Sequence, residues 1–90
     1  QKNEEAAEYY RKVLVINPNH MQAHLNLISV YEELKDWKNA IKEIEISKRL
    51  GKEKNDAQAI AIAERKKGFI KGRMNLTEED YLRKTQPPFE

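Results

Sequence analysis

His20 and His24 stand four residues apart, a spacing that on one helix face would make a two-point metal site. His20, however, falls in the loop after Pro18, and no cysteine or nearby acid completes a ligand set. Neither a metal nor any other cofactor is therefore expected. The chain has no cysteine at all, which removes disulfides and thiolate chemistry and leaves the redox compartment open. Ser29 and Ser47 are the only serines; neither lies in a Gly-rich elbow, and no phosphate-binding loop is present. No catalytic arrangement emerges, and the chain is not read as an enzyme. The stretch "ERKKGFIKGR" carries five basic residues in nine positions, Arg65, Lys66, Lys67, Lys71 and Arg73, with Phe69 among them. Such a run suits nucleic acid or another acidic surface. With no second basic strip and a low net charge, it reads first as the solvated end of a helix. Trp37 sits in a turn between paired helices and is given a packing role.

The elements that hold these residues belong to a small domain. Ninety residues make one domain at most, and a chain of that size buries roughly 60% of its unfolded surface. Charged side chains make up 36% of the sequence but nearly cancel, at a net charge of +2. The balance is uneven: residues 51–75 carry seven basic and three acidic side chains, whereas residues 1–50 carry eight of each. No apolar run approaches the ~20 residues of a membrane-spanning helix. The opening "QKNEEAAEYY" has no signal-peptide pattern and reads as the middle of a helix, so the chain is expected to be a piece of something longer, and no compartment is assigned.

Apolar residues recur on a helical period. Ala6, Tyr10, Val13 and Leu14 form a stripe over residues 3–16, and Pro18 ends that helix. Ala23, Leu27, Val30, Tyr31 and Leu34 form a second stripe over 21–34. Asp36 is placed to cap a third helix, from Trp37, whose inner side is Trp37, Ala40, Ile41, Ile44, Ser47 or Lys48, and Leu50. Gly51 is expected to stop it in the left-handed conformation, with Lys48 and Arg49 in the last turn. Asn55 or Asp56 caps a fourth helix with two apolar edges, Ala57–Ile60–Ala61 and Ala59–Ile62–Ala63, running to about residue 73. "LTEEDY" announces a short fifth helix capped by Thr77, and "TQPPFE" an extended tail.

The first half of the chain repeats in the second. Ala6 and Ala40 lie 34 residues apart, and Tyr10/Ile44, Val13/Ser47, Ile16/Leu50, Ala23/Ala57 and Ile28/Ile62 keep that offset. A 34-residue helix–turn–helix period closed by proline is that of the tetratricopeptide repeat. Over residues 3–67 the sequence resembles that family. "AAEYYRKVLVINPNH" looks like a second repeat helix with its closing proline, and "MQAHLNLISVYEELKDWKNAIKEIEISKRLG" like a complete repeat containing a "DWKNAI" turn. His24 stands where the family prefers Trp, Ile28 where it prefers a small residue, Ser47 for Ala and Lys52 for Pro. Arg65 occupies the position that Tyr31 holds one repeat earlier.

The resemblance implies an all-α fold of antiparallel helix–turn–helix repeats from an α-solenoid. Residues 1–18 would close a truncated repeat, 19–52 form a complete one, 53–74 a capping helix, and 75–90 a short helix and tail. It further implies protein–protein interaction as the function, a scaffold or adaptor that binds a peptide or subunit in a groove. The lining would come from Gln22, Leu25, Asn26, Ser29, Glu32 and Glu33 on one helix and Asp56, Ala59, Ile60, Ala63, Lys66 and Lys67 on the other. The family's clamp for a terminal carboxylate is not expected, since Asp56 and Ile60 stand where Lys and Arg are needed. A basic-segment reading, with 65–73 on nucleic acid, ranks second, and a regulatory module of a larger enzyme third. Tyr9, Val15 and Leu14 would lie on an open flank of the first helix, through which self-association is expected.

Overall fold

The computed structural model describes residues 2–74, which form four α-helices: α1 (Lys2–Ile16), α2 (Met21–Glu33), α3 (Trp37–Lys54) and α4 (Ala57–Met74). The expected short helix from Thr77 and the "PPF" tail lie outside the described residues. The described chain is all-helical, in a repeat-like arrangement. Short connections turn each helix back against its predecessor, and α2 touches all three others.

Local chemistry accounts for each break. After Pro18 the His20 side chain, through Nδ1, accepts the Ala23 N–H at 3.1 Å and so caps α2. Asp36 caps α3, accepting the Asn39 N–H at 3.4 Å and its side-chain amide at 2.7 Å. Asp56, rather than Asn55, caps α4 through the Ala59 N–H at 3.0 Å. The two later turns share one design. Lys35 and Asn55 adopt φ of 60° and 56°, and the N–H of the aspartate that follows each bonds five residues back, to Tyr31 and Gly51 carbonyls. This is the Schellman ending. For Lys35, a side chain with a Cβ, the left-handed conformation costs about 1 kcal/mol.

Two expectations about α3 and α4 need correction. Gly51 is not a left-handed stop: it lies inside α3, which runs on to Lys54, so the last turn holds Lys52 and Lys54 instead of Lys48 and Arg49. Its glycine is explained by close approach. A methyl group there would sit 2.7 Å from Ile60 Cγ1 and 3.4 Å from the Asp56 carbonyl oxygen. On α4 the edge of Ala57 and Ala61 faces solvent, and the buried positions are Ala59, Ala63 and Ile70. On α1 the expected stripe faces inward, with Ala6, Tyr10 and Leu14 packed against the core and Ala7, outside that stripe, its buried residue.

The core runs along α2 and α3: Leu27, Ile28, Ala40, Ile41 and Ile44 are sealed from solvent, with Ala59, Ala63 and Ile70 closing it from α4. Each leucine or isoleucine among them contributes roughly 1.5–3 kcal/mol on burial. Side-chain bridges pin the packing. Arg11 donates to the Tyr31 hydroxyl, Asn26 donates to the Tyr10 hydroxyl, and Lys48 meets Glu64 at 3.0 Å between α3 and α4. Ser47 is fully buried, and its hydroxyl has no hydrogen-bond partner among the described residues.

Two predictions follow from this packing. Ser47→Ala is expected to stabilise the protein by about 1 kcal/mol, because it deletes a desolvated, unpaired hydroxyl. Gly51→Ala is expected to do the reverse: the clash costs roughly 1–3 kcal/mol, against about 1 kcal/mol gained in helix propensity. Thermal unfolding should show the melting temperature rising by about 4 °C or more for the first and falling for the second. The Glu64 carboxyl is held below its usual range chiefly by the Lys48 hydrogen bond, against the opposing effect of burial. A depressed folded-state pKa stabilises above the unfolded value and is lost as pH falls through the folded one. Denaturation of wild type and Lys48→Met should therefore differ by roughly a few tenths of a kcal/mol near neutrality, a solvent-screened pair being worth little more, and converge once the pH falls below the lowered folded-state pKa of Glu64.

Candidate functional site

The offset seen in the sequence has a direct spatial counterpart. Lys66 Nζ lies 2.8 Å from Glu32 Oε1, 34 residues away, and near the other end of the pair Leu25 and Ala59 line one cleft. Helices α2 and α4 therefore run side by side in the same direction. Their shared face carries two depressions. The first, of about 300 Å³, lies between the helix starts and is lined by Met21, Gln22, Leu25, Asp56, Gln58, Ala59 and Ile62. The second, of about 450 Å³, lies beside the α2–α3 turn and is lined by Glu32, Glu33, Lys35, Arg65, Lys66, Phe69 and Arg73.

The expected groove residues divide between these clefts and the interior. Gln22, Leu25, Asp56 and Ala59 reach the first, and Glu32, Glu33 and Lys66 the second. Asn26 is committed, its amide N–H to Tyr10 and its carbonyl to Gln22. Ser29 is exposed but lines neither cleft. Ala63 is sealed inside the core, and Ile60 packs toward Gly51, so both belong to the helix–helix contacts and not to the groove. Lys67 lies outside both clefts and contributes to the field on Glu64.

The basic run is not one uniform strip. Lys66 is paired with Glu32, and the Arg73 guanidinium lies over two rings, 5.5 Å from the Trp37 centroid and 5.4 Å from that of Phe69. Lys67 and Lys71 also have interactions within the molecule, whereas Arg65 and Lys35 make no ion pair among the described residues. Trp37 packs against the core and at the same time holds Arg73. Sequence reasoning missed Lys35 and Phe69 as cleft residues. The signal for both was the run-on of α4: a helix longer than its parallel neighbour must pass the turn where that neighbour ends.

The histidines are used structurally. His20 caps α2, and His24 is buried with both ring nitrogens engaged: Nδ1 meets Glu43 Oε1 at 2.6 Å and Nε2 meets the Pro18 carbonyl at 2.7 Å. Glu43 is the acid that the sequence reading did not bring near His24, because it arrives from α3. Among the described residues no three His, Cys, Asp or Glu side chains gather as metal ligands. On α1, Tyr9, Val15 and Ile16 are 62%, 81% and 86% exposed. Leu14, expected on that open flank, instead packs against the core. No helix among the described residues is long and apolar enough to cross a membrane.

The His24 bridge ties α2 at once to α3 and to the loop before it, so its loss should be felt. His24→Leu is expected to destabilise by roughly 3 kcal/mol or more, since it strands the mostly buried Glu43 carboxylate. The double variant His24→Leu/Glu43→Leu should recover most of that loss. Urea denaturation of the cycle reads both, and a single variant as stable as wild type would contradict the bridge.

No protein-family model, curated protein or solved structure matches this chain.

Proposed function

We propose that this chain is a protein–protein interaction module of the tetratricopeptide-repeat kind, a scaffold or adaptor element that holds a partner peptide or subunit and performs no catalysis. The observation that supports the reading is the parallel placement of α2 and α4, with Glu32 bridged to Lys66 across 34 residues and Leu25 sharing a cleft with Ala59. Two helices one repeat step apart, presented side by side with open depressions along their common face, suit an extended ligand laid across them. The long α4, whose exposed positions include Gln58, Glu64 and Arg65, suits a terminal cap with a polar outer face. Self-association through α1 belongs to the same reading, since Tyr9, Val15 and Ile16 leave its flank apolar and open.

Nucleic-acid binding through residues 65–73 is the weaker reading. Lys66 is already neutralised by Glu32, and Glu32 and Glu33 line the cleft that the basic residues enter. No observation favours a regulatory module of an enzyme.

Selection from a displayed random-peptide library, followed by NMR titration of the selected peptides, tests the proposal. Shift changes are expected to cluster on the α2/α4 face, at Gln22, Gln58, Glu33 and Phe69. A library that yields no binder, or binders that map to the outer side of α3, would contradict it.

A further inference from the structure

With Glu32 bridged to Lys66, the end of α2 at Glu33 lies level with residue 67, whereas α4 continues to Met74. The last turns of α4 therefore overhang the α2–α3 turn. Ile70 is buried and Met74 packs against the core, which holds the overhang down. On its outer side Arg65, Phe69 and Arg73 follow at four-residue spacing and enter the larger cleft, with Lys35 entering from the turn opposite.

We propose that this cleft binds an acidic peptide segment that carries an aromatic or aliphatic side chain. The proposal deepens the interaction-module reading and rests on it. Charge complementarity selects the occupant. Glu32 and Lys66 cancel one another, which leaves Glu33 against Lys35, Arg65 and Arg73. The cleft thus keeps a positive surplus. Among the last carbonyls of α2, those of Val30, Tyr31 and Glu32 accept the N–H groups of Leu34, Asp36 and Lys35. Arg73 is prepared for a carboxylate: its guanidinium lies over the rings of Trp37 and Phe69, an arrangement that leaves the N–H donors at its edge available. Arg65 makes no ion pair among the described residues. Phe69, 48% exposed, offers an apolar contact between the two arginines. Lys35 adds its charge from a left-handed position that Gly or Asn would occupy with less strain. A volume of about 450 Å³ accommodates a few side chains. A nucleic-acid strand would carry its phosphates past Glu32 and Glu33, and that repulsion ranks it below a peptide whose carboxylates can be spaced to avoid them.

Fluorescence anisotropy tests the assignment with three labelled probes: a short peptide of glutamates around one phenylalanine, the same peptide with glutamine for every glutamate, and an oligothymidylate. The acidic peptide is expected to bind. The glutamine peptide should bind about tenfold more weakly, and Arg65→Glu or Arg73→Glu should weaken the acidic peptide by about tenfold or more, as like charges meet at the cleft. Circular dichroism confirms that each variant is folded; Arg65→Glu, at an exposed residue with no ion pair, is the variant least able to disturb packing. The proposal is overturned if the acidic peptide fails to bind, if the glutamine peptide binds equally well, or if the oligothymidylate binds more tightly in physiological salt. Library-selected peptides that map to the smaller cleft while the acidic probe fails would sink this inference alone. Absence of any peptide on the α2/α4 face would sink the interaction-module reading with it.

Discussion

Helix α2 has apolar or buried side chains on most of its circumference: Ala23, His24, Leu25, Leu27, Ile28, Val30 and Tyr31 all leave solvent. A helix that is buried on several sides needs a neighbour on each of them. In a domain this small the neighbours are the three other helices, so the position of each is dictated by the side of α2 that it covers. Helix α1 meets the side that offers the Asn26 amide and the Tyr31 hydroxyl, and α3 the side that offers His24. Helix α4 takes what remains. The one strongly polar side chain in this central surface, His24, is satisfied at both nitrogens by Glu43 and Pro18. Burial of an imidazole without those partners would cost more than the surrounding contacts return.

The candidate site is a by-product of that coverage. Helix α4 reaches α2 after one intervening helix, so it lies parallel to α2 and not folded back on it as α1 and α3 are. Clefts lie near both ends of the pair. The ends differ chemically because α4 carries Arg65, Lys66 and Arg73 past the end of α2, which itself closes with Glu32 and Glu33, whereas the helix starts offer Gln22, Asp56 and Gln58. The larger cleft gathers the cations and one half-exposed aromatic ring; the smaller one gathers Met21, Leu25 and Ile62 with Asp56 and Gln58.

Much of the helical framework was legible in the residues. Pro18, Asp36 and Asp56 mark breaks by local chemistry that acts within a few residues, and the stripes of α2 and α3 follow from period alone. What failed to be legible was set by distant neighbours. Gly51 has the same sequence signature whether it ends a helix or admits Ile60, and only the approach of α4 decides between them. The two apolar edges of α4 look equivalent in sequence; the third dimension buries Ala59 and Ala63 and leaves Ala57 and Ala61 outside. Of the groove residues, several near the helix starts and ends line the clefts, while Ile60 packs toward Gly51 and Ala63 is sealed in the core. The His24–Glu43 pair, 19 residues apart, carried no local signal, since nothing in either neighbourhood marks the other.

The account turns on α4 lying parallel to α2, displaced by one 34-residue step. Methyl-selective NMR tests this most directly, through nuclear Overhauser contacts between α2 and α4. The account predicts contacts between the methyl groups of Leu25 and those of Ala59 and Ile62. It also predicts that side-chain protons of Glu32 approach those of Lys66. Contacts in the opposite order, with the start of α2 near the end of α4, would contradict the account.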